Sequence, residues 1–365
     1  MAARFPILRR LILLALAGPA FAQTALRFPQ NPLVSVSTSP SLGDNVNGPS
    51  VIRVPSWIQH PLGRYYMYFA HHKGAYIRLA YADSLAGPWK VYEPGVLNVR
   101  DTIFYRPQPD PPASPPTLYT HVASPEIFID EAHQRLVMYV HGMWTDLRPW
   151  PSDPAAALRW MRENNYAQFT QTTVSSDGLH FEPRPGVTLR TSYLRIFPWN
   201  GSYYGMARLG VLAKAPNPLA PFEPGPNPFD GSLYAGRVRH VAVLLRGSTL
   251  YVFFSAIGDA PEKILLSTIA LNADWHTWKA SPPVEVLSPR EPYECPNLPV
   301  VPSKAGESEG PENALRDPAV FEENGTTTLF YSVCGEQGIA AAGVTALLQT
   351  APANQNPHPV QLRKQ

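Results

Sequence analysis

Four carboxyl groups stand close to points where apolar runs of the sequence begin. They are Asp44, Glu126, Glu294 and Asp317. Two carboxyl groups on opposite sides of a bond can cleave it, because one donates a proton to the leaving oxygen while the other activates water or attacks directly. The four residues are far apart in the chain, so they can act together only in a fold that gathers distant segments around one point.

Histidine, arginine and other polar side chains accompany these acids at the ends of apolar runs, and they are candidates for binding a ligand. This second group consists of Asn47, His71, His72, His141, Arg195, Arg239, His240, Arg316 and Glu336. If the backbone stays extended, only one of the adjacent residues His71 and His72 can face inward. Arginines that face one channel would favour an anionic ligand, because guanidinium pairs bidentately with carboxylate or sulfate.

The histidines do not have the spacing of a metal site. The sequence contains no H-E-x-x-H or similar tight ligand motif. We therefore predict no catalytic metal and no cofactor. The sequence leaves open whether a structural Ca²⁺ or a water molecule lies on a central axis.

Short strands are the elements that must position these residues. Between Asn47 and Tyr92, apolar and aromatic runs alternate with Gly, Pro and Asp-Ser punctuation. This pattern is typical of successive strands joined by tight turns. Four antiparallel strands in about 45 residues make one propeller blade, and a lone blade needs similar neighbours because it cannot bury both faces.

A comparable unit recurs five times, with irregular spacing and insertions such as the Pro-rich segment 97–120. The sequence therefore predicts an all-β fold, a single five-bladed β-propeller over residues 23–350. Its blades are four-stranded and antiparallel, with loop insertions and one short helix over 153–165. The lead-in LRFPQNPLVSV either supplies an outer strand that closes the ring or lies along it. A β-sandwich or a parallel β-helix is the structural alternative.

The two ends of the chain differ in composition from the predicted domain. Residues 1–22 combine three arginines, the apolar run LILLALAG and an A-x-A site at 20–22. This is the pattern of a cleaved secretory signal peptide, which predicts a secreted or periplasmic protein. Such a location permits a disulfide, but the sequence leaves open whether Cys295 and Cys334 pair. Residues 351–365 form a polar tail.

The charge of the chain gives no reason to expect a nucleic acid as partner. Removal of the leader lowers Lys+Arg from 30 to 27 against 28 acidic residues, so the net charge changes from +2 to about −1. No later segment is long and apolar enough to span a bilayer, so no membrane contact is expected after signal cleavage. The oligomeric state is not indicated.

Three motifs resemble blade openings of the five-bladed propeller glycoside hydrolases, the group around glycoside hydrolase family 43. They are NGPSVIRVP, ASPEIFID and LRDPAVFEENGTTTLFYS, and SSDGLHFEP is similar to an outer turn common in these enzymes. The resemblance implies an Asp that opens the first blade as base, a second Asp that tunes pKa values, and a Glu on a later blade as acid.

The family pattern maps onto this chain with departures. Asn47-Gly48-Pro49 stands where the family has Asp-Pro, which leaves Asp44 to substitute as base. Asp317 matches the Asp of the Asp-Pro motif, although it opens the fifth blade. YECP resembles the Glu-Cys-Pro motif of the invertase-like propellers, which implies Glu294 as the acid. In those families this motif follows an Arg-Asp-Pro motif, whereas here Glu294 precedes Arg316-Asp317.

Together with the leader, the resemblance implies a secreted or periplasmic glycoside hydrolase that cleaves a plant or algal polysaccharide or oligosaccharide with paired carboxylates. Arginines that face the channel would favour an anionic sugar. One alternative is a carbohydrate-binding propeller without catalysis. Another is a lyase or phosphorylase on the same scaffold. A lyase would place a His, Tyr or Lys base beside cationic groups that neutralise a uronate. The sugar, the linkage and the stereochemical outcome are not determined by the sequence.

Overall fold

The structure is a computed structural model that describes residues 25–105, 120–144 and 167–350. The predicted leader, the predicted helix over 153–165 and the polar tail lie outside these residues, as does most of the Pro-rich insertion. Within the described part of the chain, no helix is both long and apolar enough to cross a membrane.

Five antiparallel sheets make up the fold, and each follows the chain from its inner strand outward. Two short strands, β1 (Leu26–Arg27) and β2 (Val34–Ser35), precede them. Blade one contains β3 (Asn47–Arg53), β4 (Tyr65–Ala70), β5 (Tyr76–Ala82) and β6 (Lys90–Asn98). Blade two contains β7 (Ala123–Asp130), β8 (Arg135–Trp144), β9 (Ala167–Ser175) and β10 (Glu182–Pro183).

The remaining blades follow the same order. Blade three contains β11 (Arg195–Trp199), β12 (Ser202–Met206), β13 (Leu212–Ala215) and β14 (Glu223–Pro224). Blade four contains β15 (Val238–Arg246), β16 (Thr249–Ala256), β17 (Ile264–Ala270) and β18 (Val284–Leu287). Blade five contains β19 (Arg316–Glu323), β20 (Thr326–Val333) and β21 (Gly338–Gly343), and the short helix α1 (Thr345–Thr350) follows. The all-β, five-bladed prediction is confirmed.

The hydrophobic core lies between neighbouring blades. Alternate residues of one strand face opposite neighbours, so each blade takes part in two interfaces. Phe253 of β16, for example, packs toward blade five, whereas Phe254 packs toward blade three. Representative pairs across the five interfaces are Tyr68 with Met138, Val137 with Ile196, Phe197 with Phe254, Phe253 with Tyr331, and Phe330 with Met67. The last pair joins blade five to blade one and closes the ring.

A β-bulge opens several inner strands, and it explains the residue–Pro motifs in the sequence. Gly48, Ser124 and Asp317 each precede a proline and have positive φ values of 61°, 46° and 50°. The pairing of β3 with β4 shifts by one residue at this point, as do the pairings of β7 with β8 and β19 with β20. Proline fits such a bulge because it has no N–H to offer the ladder. The bulges change the direction of side chains and carbonyls at one end of the central channel.

Arg195 of β11 ties the inner strands together across this channel. Its guanidinium donates hydrogen bonds to the carbonyl oxygens of Pro125 (2.8 Å), Val241 (3.2 Å) and Pro49 (3.4 Å). It also donates to Glu126 Oε2 at 2.6 Å. One buried side chain therefore connects the inner strands of four blades and occupies the axis of the ring.

The N-terminal lead-in supplies the missing outer strand of blade five. β1 pairs with β21 through Leu26 and Arg27, and β2 pairs with the same strand through Val34. Arg27 Nε and Nη2 donate to the two oxygens of Glu294 at 2.8 and 2.9 Å. The segment therefore supplies an outer strand that closes the ring, the first of the two roles that the sequence left open.

A disulfide joins Cys295 to Cys334 with a Cα–Cα distance of 5.0 Å. It attaches the start of the connection before blade five to the end of β20. Asn313 Nδ2 donates to the carbonyl oxygens of Pro296 and Leu298, both at 3.0 Å, and so folds this connection back on itself. The pairing that the sequence left open is thus present.

Replacement of Arg195 by Leu should destabilise the ring by about 3–5 kcal/mol, because it leaves the Glu126 carboxylate without its cation and several carbonyls without a donor. Urea unfolding at pH 7 would measure this loss, with the exposed Arg184→Leu as control. The loss should be smaller near pH 4, where Glu126 can take up a proton. An equal stability of Arg195→Leu and Arg184→Leu would contradict this role of the arginine.

Replacement of Arg27 by Met should cost about 3–5 kcal/mol, because Glu294 is fully buried and would lose its cation. The matched control is Arg53→Met, which breaks the more exposed pair with Glu323 and should cost less than about 1 kcal/mol. The double variant Arg27→Met/Glu294→Gln should recover part of the loss. Similar unfolding midpoints for the two single variants would show that the Arg27–Glu294 pair does not hold the ring closed.

Candidate active site

A small pocket opens at the end of the central channel where the inner strands begin. Its volume is about 70 Å³. The residues that line it come from blades one to four and from the connection before blade five: His72, Gln168, Tyr193, Arg208, Arg239, His240, Ile257, Ala305 and Gly306. We call this the axial pocket. The fold thus brings together polar groups from distant parts of the chain, as the propeller prediction requires.

Asp317, predicted as catalytic, and Glu336, predicted as a binding residue, lie directly behind histidines of the axial pocket. The Asp317 carboxylate contacts His240 Nδ1, and its other oxygen accepts from Ser332 Oγ at 3.0 Å. The Glu336 carboxylate lies 3.5 Å from His72 Nδ1. Both acids are buried, so each imidazole stands between a carboxylate and the pocket.

Glu336 is held in its ionised form by the groups around it. It accepts hydrogen bonds from Asn45 Nδ2 at 2.6 Å and Asn47 Nδ2 at 2.9 Å. Burial by itself raises the pKa of Glu336, but the hydrogen bond and charge of His72, the charge of Arg316 and the bond from Asn45 outweigh it and hold the pKa well below its ordinary value. An ionised carboxylate therefore lies directly behind the His72 ring.

His240 and His141 are neutral at neutral pH. Burial lowers the pKa of His240 well below its ordinary value, and the positive charge of Arg239 acts in the same direction. Burial also lowers the pKa of His141, helped by its neighbours His121 and His72. A neutral His240 that carries its proton on Nδ1, toward Asp317, has Nε2 free of a proton and able to accept one.

Tyr193 lies between these two imidazoles. Its ring centroid is 4.3 Å from that of His141 and 3.9 Å from that of His240. Its φ of 61° places it at the blade-three position that corresponds to Gly48, Ser124 and Asp317 in the other blades. The tyrosine therefore reaches the axial pocket from a bulge-like start of β11.

The three arginines that the sequence singled out are bound to groups of the protein itself. Arg195 bridges the inner strands below the axial pocket. Arg316 Nη2 lies 2.9 Å from Glu262 and 2.6 Å from Glu312, and its Nη1 is 3.4 Å from Glu336. Arg239 donates to the carbonyl oxygens of Lys304 and Gly306, and its Nε is 3.6 Å from Glu262. These arginines neutralise buried acids and order a loop.

Glu126 lies deeper on the axis than the pocket, beside a second cavity of about 60 Å³. It accepts hydrogen bonds from Arg195 Nη1 and, at 3.1 Å, from Ser50 Oγ. Burial raises its pKa, while the charge of Arg195 and the bond from Ser50 oppose the rise. The structure therefore separates Glu126 from the histidines by one layer of the channel.

Glu294 is not brought to the axial pocket. It lies between the outer parts of blades four and five, where Arg27, Tyr331 Oη and the backbone N–H groups of Arg290 and Glu291 all donate to it. No carboxylate oxygen is left to receive a substrate.

Asp44 and His71 form a pair at the rim of blade one. His71 Nε2 is 3.0 Å from Asp44 Oδ1, and the Asp44 side chain is 93% exposed. Of the adjacent histidines, His72 is the one that reaches the axial pocket.

The sequence interpretation missed several residues of the site. They are Gln168, Tyr193, Arg208, Glu262 and Glu312. Tyr193 and Arg208 belong to the least regular blade, where no residue–Pro motif marks the start of the inner strand. Glu262 lies in the turn before β17, and nothing in its local sequence indicates that it meets Arg316 on the axis.

Stability should fall as the pH drops below about 6.5. Above the ordinary imidazole pKa of about 6.5, neither the folded nor the unfolded chain protonates His141 and His240. Below it the unfolded chain binds protons that the folded chain excludes, which costs up to about 1.4 kcal/mol per pH unit for each imidazole. Urea unfolding at pH 7.5, 6.5 and 5.5 should show this decline, and His141→Gln should make it shallower. A stability that is constant over this range would contradict the assignment of neutral imidazoles.

Comparison with known proteins supports the fold and places the chain in a family. A glycosyl hydrolase from Bacteroides ovatus superimposes with a TM-score of 0.53 at 11% identity, covering 88% of this chain and 92% of that one. A family 43 β-xylosidase/α-arabinofuranosidase from a compost microbial metagenome gives 0.52 at 11% identity, covering 84% and 91%. An α-L-arabinofuranosidase from Lactobacillus brevis gives 0.50 at 14% identity, covering 86% and 92%. At such identities the likeness shows a shared fold, the five-bladed propeller of these glycoside hydrolases.

Sequence comparison provides a nearer relative. No family model matches the chain. An uncharacterized protein of Acanthamoeba polyphaga mimivirus is 33% identical over 338 residues, which cover 87% of this chain and 89% of that protein. The chain therefore belongs to the same protein family as this mimivirus protein.

Proposed function

We propose that this chain is an exported glycoside hydrolase that cleaves its substrate in the axial pocket. The fold is that of solved glycoside hydrolases, and the pocket gathers polar groups of distant segments at the place where a propeller opens to solvent. The leader-like N-terminus and the Cys295–Cys334 disulfide support export, because disulfides persist in oxidising compartments. A plant or algal polysaccharide or oligosaccharide stays our expectation for the substrate.

The observation that carries the proposal is the pair of imidazole–carboxylate units at one pocket. His240 with Asp317 is a neutral imidazole oriented by an acid, which is the arrangement of a general base. His72 with Glu336 is an imidazole beside an ionised carboxylate, an arrangement in which the ring can pass a proton to a leaving oxygen. The two units supply opposite proton transfers within one small cavity.

In the proposed reaction, the glycosidic bond lies between the two histidines. His240 Nε2 takes a proton from a water molecule while the oxygen of that water forms a bond to the anomeric carbon. His72 gives a proton to the leaving sugar oxygen as the bond to it breaks. Asp317 and Glu336 act as positioning residues, because each orients an imidazole and balances its charge. Asp317, one of the carboxylates predicted from the resemblance, would thus work through a histidine.

A lyase reaction is the second candidate, and the lining of the pocket favours it. None of the described residues that line the axial pocket is acidic, while Tyr193 and the half-buried cation Arg208 stand beside the neutral His240. This is the set of groups expected for β-elimination from a uronate. His240 would then remove the proton next to the carboxylate, and the cation would neutralise the charge that develops. The bond to the leaving sugar oxygen would break as the carbon–carbon double bond forms, and that oxygen would take up a proton from water.

Asp317→Asn should lower the rate of oligosaccharide cleavage at least about 100-fold, because the amide no longer selects the His240 tautomer that accepts a proton. A panel of neutral and uronic-acid oligosaccharides incubated with the purified protein would measure the rate by product analysis. The matched control is Glu182→Gln on the exposed outer strand of blade two, which should keep the wild-type rate.

The products decide between the two reactions. Hydrolysis gives a new reducing end only, whereas β-elimination also gives an unsaturated uronate that absorbs in the ultraviolet. A folded Asp317→Asn variant, judged by its thermal unfolding, that cleaves as fast as wild type would refute our site. A wild-type protein that binds but never cleaves any sugar of the panel would instead indicate a binding propeller.

A further inference from the structure

We infer that Arg208 forms a subsite in the axial pocket that binds the carboxylate of an acidic sugar. This inference rests on the proposed function, because it names the class of substrate that the same pocket takes. The sequence did not indicate Arg208. The arginines that it did indicate are bound to oxygen atoms of the protein itself.

Arg208 differs from the other arginines of the channel in what surrounds its charge. Arg195, Arg239 and Arg316 each contact carbonyl or carboxylate oxygens of the protein. Within the described residues, the Arg208 guanidinium forms no such hydrogen bond or ion pair, although it lines the same pocket. A half-buried cation without a counter-ion is costly, and a bound anion would offset that cost.

Hydrogen bonds hold the backbone that carries Arg208. The residue begins a single turn, Arg208–Gly210, directly after β12, and its N–H donates to Ser192 O at 2.9 Å. Leu209 has a φ of 65°, and its carbonyl accepts from Asn227 Nδ2 at 2.8 Å. Such a pre-formed turn directs the side chain toward the pocket without a further ordering cost in the backbone.

The neighbours of Arg208 suit a carboxylate. Gln168 Oε1 accepts from Ser192 Oγ at 3.0 Å, so its NH₂ group can donate to a ligand oxygen beside the guanidinium. The positive charge of Arg208 contributes to the lowered pKa of His141, after the larger effects of burial and of His121 and His72. A planar carboxylate can accept two parallel bonds from guanidinium.

The test is a binding experiment that does not depend on turnover. D-glucuronate and D-galacturonate, with D-glucose and D-galactose as neutral counterparts, are titrated into the full chain by calorimetry. The uronates should bind at least about tenfold more tightly than the neutral sugars, and less tightly as the salt concentration rises. Arg208→Gln should lose at least about tenfold for the uronates and nothing for the neutral sugars.

The control variant is Arg64→Gln, which removes an exposed arginine outside the pocket and should bind uronates like wild type. Arg208→Lys, which keeps the charge but loses the bidentate geometry, should lie between wild type and Arg208→Gln. Uronates that bind no better than neutral sugars, or not at all, would overturn the inference, as would an Arg208→Gln variant that binds them unchanged.

The failure of this inference can be told apart from failure of the proposed function. Cleavage of neutral oligosaccharides together with absent uronate binding would reject the acidic subsite and keep the glycoside hydrolase. Uronate binding that depends on Arg208, without cleavage of any oligosaccharide, would keep the subsite and reject the catalytic proposal.

Discussion

The guanidinium of Arg195 satisfies a constraint that arises wherever five inner strands meet around an axis. Bulges at the strand starts turn backbone carbonyls, among them those of Pro49 and Pro125, toward the channel. Buried carbonyls need hydrogen-bond donors. One planar side chain with five N–H groups meets this need for several blades at once. The ring therefore has a polar centre that is hydrogen-bonded within the protein.

The candidate site follows from this filled axis. Because Arg195 occupies the channel, the end of the channel above it is a shallow pocket. The acids of the next layer, Glu262, Glu336 and Asp317, are buried. Arg316 pairs with Glu262 and Glu336, and Asp317 contacts His240. Instead of these acids, the imidazoles of His72 and His240 reach the pocket, each with a carboxylate behind it. Only Arg208 adds a charge there that no described group neutralises.

Ring closure at the outer edge solves a different problem. Blade five would end in an open edge strand without β1 and β2, and open edges pair with other chains. Glu294 secures this closure, because Arg27 and two backbone N–H groups converge on it. Glu294 of the YECP motif therefore holds the N-terminal strand on blade five, although its partner Arg27 is 267 residues away in the sequence. Its short-range resemblance to a catalytic motif does not reveal that partner.

Alternation of apolar runs with turn residues was sufficient to determine the five blades, because strand formation and turn chemistry are local. The same signals placed Asp317, His240, His72 and Glu336 at strand ends that a propeller gathers on its axis. The tertiary structure alone decided which polar groups are hydrogen-bonded within the protein and which face the pocket. Arg195 and Glu294 belong to the first kind, and Arg208 and Tyr193 to the second. Those roles depend on partners distant in sequence and on bulges that shift side-chain direction by one residue, and neither leaves a local signature.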